Sequence, residues 1–338
     1  MKSYSIENIR IQDILLISIC ILLFLNRAVP IDYSSIWRVT VLCLIYTCIR
    51  IISKQYRNCL LHMVYIWGIT EVIISILQKA NYIESNHHDF GITGTFGNPG
   101  PLGGLLAVCW IVSIFFIYEN IQNKHRILTL PFCMIACFIL YGLLLSGSRA
   151  GWIAAIIGLC YLLWHTDSIV IQRSKAFIKK SLIVQCIIIG IAIIAAISAY
   201  QYKKASADGR LFIWGICLDM SKDKLITGHG TGMFREKFPN YQAAFFMQNP
   251  DSDNVDYAGN PLYPFNEYLS VLVTQGLIGV AFLILIVNSL SFHSSSKGVR
   301  QQRAFLLTWG IFACFSYPMA HYRLMILLPF LIALLPIK

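Results

Sequence analysis

Three ionisable side chains lie within or at the edge of long apolar stretches, where a charge is costly. They are Glu71, Arg149 and Glu267. A charge retained at membrane depth is a functional candidate by default, because hydrocarbon solvates it far less well than water does. A fourth candidate, Arg210, follows an Asp-Gly pair in a more polar segment. The chemistry open to this set is anion binding by the arginines and proton transfer by a carboxylate.

Arg149 stands in a run of small and polar residues, Leu145–Trp152 (LSGSRAGW), that joins two apolar stretches. Small neighbours let backbones approach each other and leave the guanidinium pointing into a cavity. A planar guanidinium binds a phosphate through two parallel hydrogen bonds. The alternative is an interfacial arginine whose side chain reaches toward lipid headgroups. The residues alone leave both interpretations open.

Arg210 belongs to Asp208–Trp214 (DGRLFIW), where we predict a short amphipathic helix over Arg210–Met220. Asp208 is the expected N-cap. An arginine at a helix start lies beside unbonded backbone amides, which also favour an anion. The residues alone favour a solvated surface arginine over this binding role. The apolar face would consist of Leu211, Trp214, Ile216 and Leu218.

Glu267 and Asn266 lie where the chain re-enters an apolar stretch after a polar loop. A partly desolvated carboxylate there could act as a general base, and Asn266 could orient a sugar hydroxyl. The alternative is local, because Asn and Glu are both good residues for starting a helix. These two interpretations also stay open.

Glu71 is interpreted as structural, with a buried hydrogen bond to a neighbouring helix. Asp32, Arg38 and Arg323 are expected near a membrane interface as ion-pair partners or headgroup contacts.

Two weaker patterns occur in the segment after Arg210. Gly228–Gly232 (GHGTG) resembles a phosphate-binding loop, but no strand–helix context accompanies it, so we predict a tight turn between two loop helices. Asp251–Asp256 (DSDNVD) has carboxylates spaced as in calcium loops, but the Gly and final Glu of such loops are missing. A solvated acidic turn is the favoured interpretation.

The composition explains why these candidates need a membrane setting. Hydrophobic residues make up 57% of the 338-residue chain, charged residues only 13%, and the mean hydropathy is +0.65. Soluble domains carry roughly 25% charged residues. The net charge of +11 comes largely from short loops between apolar runs, so it indicates membrane topology rather than nucleic-acid binding.

Apolar runs near the roughly 20 residues that cross a bilayer predict about ten transmembrane helices in one all-α, polytopic membrane bundle over residues 1–338. A large loop, residues 201–263, separates the seventh and eighth spans. It contains one cysteine, Cys217, so no disulfide forms within it. The predicted spans are 11–29, 36–52, 60–79, 100–118, 127–145, 150–165, 181–200, 264–290, 304–320 and 323–337.

Orientation follows from the basic residues of the short loops, which fall predominantly on one side of the predicted membrane. Both termini are therefore expected in the cytoplasm and the large loop in the periplasm. A second short helix over Met233–Phe246 would join the first as a lid lying on the membrane face. No metal site and no cofactor are predicted.

Four segments, in this order, give the chain a recognisable pattern. It resembles the superfamily of O-antigen ligases and O-antigen polymerases, bacterial membrane glycosyltransferases, over about residues 90–285. The segments are Gly94–Gly104 (GTFGNPGPLGG); Ser146–Trp152 (SGSRAGW); Asp208–Trp214 with Gly228–Phe234 (GHGTGMF); and Phe265–Leu269 (FNEYL) with Gln275–Gly279 (QGLIG).

The resemblance implies transfer of a glycan from an undecaprenyl-diphosphate carrier at the periplasmic face of the bacterial inner membrane. The acceptor would be lipid A core, another repeat unit or a protein hydroxyl, and neither metal nor nucleotide sugar would be needed. By match, Arg149 and Arg210 would bind the carrier diphosphate and stabilise the departing charge. The resemblance therefore favours diphosphate binding by both arginines over an interfacial role for Arg149 and a surface role for Arg210.

One position departs from the family pattern. Ligases of this family commonly carry a His-Asn pair in the fourth segment, with His as the proposed base, whereas this chain has Phe265 before Asn266. Glu267 is the hypothetical substitute, with His229 and His321 as weaker candidates. Because the His is missing, the pattern favours a polymerase or a divergent subfamily slightly over a classical ligase.

Two other functions stay open on the sequence. A transporter or flippase for lipid-linked glycans would be expected to show matched halves with broken helices, and no such symmetry is seen. A non-catalytic assembly partner would tolerate loss of Arg149 and Arg210.

Overall fold

The structure is a computed structural model that describes residues 33–166, 172–173, 176–178, 181–292 and 297–335. Within these ranges the regular secondary structure is entirely helical, which confirms the predicted all-α class. The predicted span 11–29 lies outside the described residues. By internal contacts the chain divides into a bundle unit, Tyr46–Lys203 with Ser295–Lys338, and a loop unit, Met1–Ile45 with Lys204–Ser294.

Most of the predicted spans within the described ranges become helices close to their expected bounds. The predicted 36–52 and 60–79 form one long helix that loses helical geometry at Tyr56 (φ −115°, ψ 22°), inside the predicted gap. The predicted 304–320 begins and ends seven residues earlier than expected. The helices are α1 Tyr33–Lys79, α2 Pro99–Gln122, α3 Arg126–Leu145, α4 Arg149–Trp164, α5 Leu182–Tyr202, α6 Lys204–Asp223, α7 Phe234–Gln248, α8 Glu267–Phe292, α9 Lys297–Ala313 and α10 Tyr322–Ala333.

Four stretches of the described chain are long and apolar enough to cross a membrane: Gln55–Lys79, Pro99–Gln122, Ile127–Leu145 and Glu267–Asn288. Three shorter apolar helices accompany them, Thr40–Ile52, Arg149–Trp164 and Tyr322–Ala333. This pattern is that of a helical membrane protein.

The bundle unit is built around α2, which packs against α3, α4 and α9. The most apolar part of α2 is 78% buried, whereas the most apolar part of α3 is only 22% buried. The α2 helix is therefore the central helix of the bundle unit. Asn98 caps α2 by accepting a hydrogen bond from the Gly100 amide at 2.8 Å, and Pro99 follows at the first helical position.

Small residues allow α2 and α4 to run side by side. A Cβ on Gly103 would lie 2.2 Å from the Ser148 Cβ, and one on Gly151 would lie 2.7 Å from the Gly103 carbonyl oxygen. Ser148 also caps α4, because its hydroxyl accepts from the Gly151 amide at 3.2 Å. The Ser-Gly-Ser interruption is thus explained by capping and close helix packing.

The loop unit contains α6, α7, a short 3₁₀ helix at Asp253–Tyr257, and α8. The second predicted loop helix, Met233–Phe246, is confirmed as α7 within two residues. Of the four residues predicted to form the apolar face of α6, Ile216 is buried and Trp214 half-buried, whereas Leu211 is 54% and Leu218 49% exposed. The core of the loop unit comprises Phe212, Ile216, Cys217, Met220, Phe234, Phe238 and Val273.

The Gly-rich segment after α6 docks on a break in α8. Gly276 interrupts α8 with φ 63° and ψ −160°. The amides freed there donate to the α6–α7 connection, Leu277 to the Leu225 carbonyl at 2.8 Å and Ile278 to the Ile226 carbonyl at 3.2 Å. In return, the Gly230 amide donates to the Thr274 carbonyl at 2.9 Å, and the predicted turn at Gly228–Gly232 becomes an anchored loop.

Candidate active site

Arg210 lies in the second turn of α6, not at its start. The predicted N-cap at Asp208 was wrong, because α6 begins at Lys204 and continues through Asp208 and Gly209. A single glycine costs a helix only about 1 kcal/mol, so the Asp-Gly pair does not stop it. The orphan amides of the helix start are therefore not available beside Arg210, and anion binding must come from its guanidinium.

Two side chains of α6, one turn apart, face the segment that leads into α8. The Trp214 indole N–H donates to the Pro264 carbonyl at 2.9 Å. The Arg210 guanidinium carbon lies 5.3 Å from the centroid of the Phe265 ring, within the range of a cation–π contact. The third and fourth motif segments of the sequence therefore meet at Arg210 and Phe265.

Phe265 adopts a backbone conformation that is unusual for a bulky residue, with φ 55°. Such a conformation costs on the order of 1–3 kcal/mol and persists only where its surroundings enforce it. Here the Trp214 bond holds the preceding carbonyl and α8 begins two residues later. The ring is thus presented to Arg210 by a constrained turn.

Asn266 performs the capping role that the sequence left as an alternative. Its side-chain oxygen accepts from the amides of Tyr268 at 2.9 Å and Leu269 at 3.1 Å, at the start of α8. A contact between Asn266 and a sugar would therefore use the amide NH₂ as donor. Glu267, the first residue of α8, is half-buried and adjoins this cap.

His229 is buried in the loop unit, with 4% of its surface exposed. Its Nε2 donates to the Met220 carbonyl at 2.7 Å, so the proton resides on Nε2 and Nδ1 is the basic nitrogen. The Nδ1 atom is also buried, and the ring packs 5.9 Å from that of Tyr241. The geometry supports a structural role, tying the Gly-rich loop to α6, more than that of a base for an entering acceptor.

Arg149 belongs to the bundle unit, where it is the first residue of α4. Its Nη1 donates to the Tyr200 carbonyl at 3.5 Å. A second cation contacts the residues that connect α3 to α4, because the Lys203 ammonium donates to the Gly147 carbonyl at 3.4 Å. The half-buried Arg149 guanidinium and the Lys203 ammonium thus both join the start of α4 to the end of α5, and two cations in this region would suit an anion.

A second group of polar residues, not connected by the sequence analysis, supports the first motif segment. Glu71 is 1% exposed, and its carboxyl oxygens accept from the Thr95 amide at 2.8 Å and the Thr95 hydroxyl at 2.6 Å. Arg323 donates to the carbonyl and hydroxyl oxygens of the same Thr95. The structural interpretation of Glu71 is supported, but its partner is a loop rather than a neighbouring helix.

His321 adjoins this group just before α10. Burial and the neighbouring Arg323 lower the pKa of its imidazole, so the ring is neutral near pH 7. No signal in the sequence pairs Arg323 with Thr95, because 228 residues separate them.

Among the described residues, no group of three or more His, Cys, Asp or Glu side chains is arranged to hold a metal ion. The acidic run Asp251–Asp256 lies around the 3₁₀ helix, where the Ser252 hydroxyl accepts from the Asn254 amide. This arrangement supports the acidic turn favoured above.

Comparison with known proteins places these residues in a family context. The O-antigen ligase family model matches residues 133–284, which include Arg149, Arg210 and the Phe265–Glu267 turn. Proteins named "Putative polysaccharide ligase" are similar over 191 residues, at 25% identity in Rickettsia conorii and 24% in Rickettsia typhi. Each alignment covers 54% of this chain and 43% of the relative, so the chain spans less than half the length of the curated relatives it matches. The predicted resemblance is confirmed over residues 133–284, the part of the chain that the O-antigen ligase family model matches.

Proposed function

We propose that the chain is a membrane glycosyltransferase of the O-antigen ligase and polymerase type, acting in surface polysaccharide synthesis. It would take a glycan from an undecaprenyl-diphosphate carrier at the periplasmic face of the bacterial inner membrane. The acceptor would be a hydroxyl of a glycan, a lipid or a protein. The proposal includes the predicted topology, with both termini cytoplasmic and residues 201–263 periplasmic as a loop of a single membrane domain.

The observation that carries this proposal is the contact between Arg210 and Phe265, inside the family region. The aromatic ring restricts the orientation of the guanidinium, whose N–H groups are the kind of donor that a diphosphate needs. A diphosphate is a good leaving group, so the protein has to stabilise departing charge, supply a base and position the acceptor. Arg210 supplies the first of these.

Glu267 is the proposed general base, since the aromatic ring at position 265 cannot accept a proton. It adjoins Asn266 and begins α8 in the same turn that presents Phe265 to Arg210. The acceptor hydroxyl would lose its proton to Glu267 as its oxygen attacks the anomeric carbon. The bond from that carbon to the diphosphate breaks, and Arg210 stabilises the phosphate oxygen that leaves. Arg149 is proposed as a further diphosphate ligand, on the family match and its place beside Lys203.

The test is transfer in vitro from a defined undecaprenyl-diphosphate glycan by the purified full chain, with no metal added. A ladder of products would indicate a polymerase, and single additions to a supplied acceptor would indicate a ligase. A folded protein that transfers to none of a broad acceptor panel would contradict the proposal. Movement of the intact lipid-linked glycan without a new glycosidic bond would favour a transporter, and neither result a non-catalytic partner.

A further inference from the structure

A groove of about 920 Å³ lies within the loop unit, between α6 and the segment that carries the 3₁₀ helix. Its most buried apolar lining residues, Phe212, Ile216 and Phe245, form the floor. Its rim is polar and includes Asp253 and Asp256. The volume is that of a small-ligand pocket, since such pockets commonly measure about 300–1,000 Å³.

The groove and the Arg210 site use different faces of α6. Asp208, Leu211, Gly215 and Asp219 line the groove and recur with helical spacing. Arg210 comes two residues after Asp208, which turns it by about 200° around the helix axis. The groove therefore does not depend on the residues that contact Phe265.

Gly215 lies within α6, and close packing does not explain why this position is a glycine. A Cβ at this position would meet nothing within 4 Å. Glycine costs roughly 0.5–1 kcal/mol relative to alanine inside a helix, so the position sacrifices stability. Because Gly215 lines the groove, a larger side chain at this position would occupy the groove.

Aromatic rings and carboxylates both line the groove, a combination that suits a sugar. The Tyr257 hydroxyl donates to the Asp208 carboxylate at 3.3 Å. Phe245 packs edge-on against Phe212 at 5.4 Å, which fixes the floor. Sugars offer apolar C–H faces to such rings and hydroxyl edges to carboxylate and amide groups.

The charge of the lining selects among glycans. Asp208, Asp219, Asp253 and Asp256 face one ammonium group, that of Lys204. Asp219 is also bonded to Lys222 at 2.6 Å, but both side chains are solvated and the pair is weak. A uronate or phosphate would be repelled here, whereas neutral and amino sugars would not.

We propose that this groove binds a non-acidic glycan, composed of neutral or amino sugars, through stacking on its aromatic floor and hydrogen bonds to its carboxylates. The choice of a sugar as ligand rests on the proposed function. Within that function the groove would hold the body of a donor or acceptor chain and would set which polysaccharides are handled.

The test is direct binding of free oligosaccharides to the full chain in detergent, followed by saturation-transfer NMR. Neutral hexose and N-acetylhexosamine oligomers and a glucosamine oligomer should bind, and a galacturonate oligomer of equal length should not. Gly215→Leu should weaken binding at least about tenfold, because it adds a side chain to the groove at a position where a Cβ meets nothing within 4 Å. The matched control is Gly190→Leu, at a helical glycine of α5 that also has open space around its Cβ, and it should bind as wild type.

A second variant keeps the proposal testable if Gly215→Leu does not fold. Asp253→Asn with Asp256→Asn should admit the galacturonate oligomer and so lower the preference for neutral glycans. The proposal is overturned by wild-type protein that binds none of the non-acidic oligomers, by equal binding in a folded Gly215→Leu, or by an unchanged preference in the double variant. These measurements use no lipid carrier and no transfer, so failure of the proposed function would show separately, as a folded wild-type protein that transfers to none of the acceptors while groove binding is intact.

Discussion

The guanidinium of Arg210 stands 5.3 Å from the centre of the Phe265 ring, at the position where ligases of the resembling family commonly carry histidine. The ring can hold a cation but cannot take up a proton. Under the proposed function, Phe265 would therefore position the arginine that stabilises the departing charge, and the base would have to be another residue.

Replacing Phe265 by leucine removes the aromatic face and keeps an apolar side chain. If the ring positions Arg210, kcat should fall by about two- to thirtyfold, the equivalent of a cation–π contact worth 0.5–2 kcal/mol. Phe265→Tyr keeps the aromatic ring and should restore most of the rate. A leucine variant as active as the tyrosine variant would show that the aromatic ring has no positioning role.

Glu267→Gln tests the proposed base while preserving the shape of the side chain. Loss of a general base typically lowers the rate by about 10²–10⁴-fold, so single-turnover transfer should nearly vanish. Glu236→Gln is the matched control, because Glu236 is an exposed acid in the first turn of α7. The Glu236→Gln protein should transfer glycan at the wild-type rate. Near-normal product from Glu267→Gln would exclude this carboxylate as the base.

The break in α8 at Gly276 should be essential to the loop unit. An added Cβ in Gly276→Ala would lie 2.3 Å from the Ile226 carbonyl oxygen, at a residue with φ 63°. A backbone with φ 63° and ψ −160° is essentially restricted to glycine and costs another residue on the order of 1–3 kcal/mol, so the melting temperature should fall clearly. Gly215→Ala, in an open helical position, should instead raise it slightly. The idea fails if both variants unfold at the wild-type temperature.

Thr95→Val tests the group that supports the first motif segment. It deprives Glu71 of one hydroxyl donor and Arg323 of one acceptor inside the bundle unit. Leaving buried polar atoms unsatisfied costs about 1–3 kcal/mol, which thermal unfolding in detergent should resolve. Thr95→Ser should retain wild-type stability. Thr70→Val serves as a control, since Thr70 is exposed and bonds only locally to the Trp67 carbonyl. Equal stability of the valine and serine variants would contradict the assigned role.

The sequence predicted the elements that depend on local pattern and missed those that depend on distant partners. Hydropathy located α2, α3 and α4 within a few residues, because each is a continuous apolar run. It passed over the break at Gly276, since the run around α8 stays apolar while the backbone turns to meet Leu225 and Ile226.

The prediction of an N-cap at Asp208 relied too much on the turn preference of an Asp-Gly pair. In the structure, α6 continues through this pair. The pairing of Arg323 with Thr95 and of Arg210 with Phe265 joins residues far apart in the chain, and no spacing rule encodes such contacts. Arg149 and Glu267 were identifiable as charged groups in or beside apolar stretches, whereas Arg210 became a candidate mainly through the family resemblance.

The most direct test of the central claim is transfer from a lipid-diphosphate-linked glycan by Arg210→Ala, beside wild type and Arg235→Ala. Arg235 is an exposed arginine of α7 in the same loop unit, so its loss controls for charge alone. Removing a group that stabilises departing charge should lower the rate by about 10²–10³-fold. The account predicts that loss for Arg210→Ala only, with a folded protein; transfer by Arg210→Ala at the rate of Arg235→Ala would contradict it.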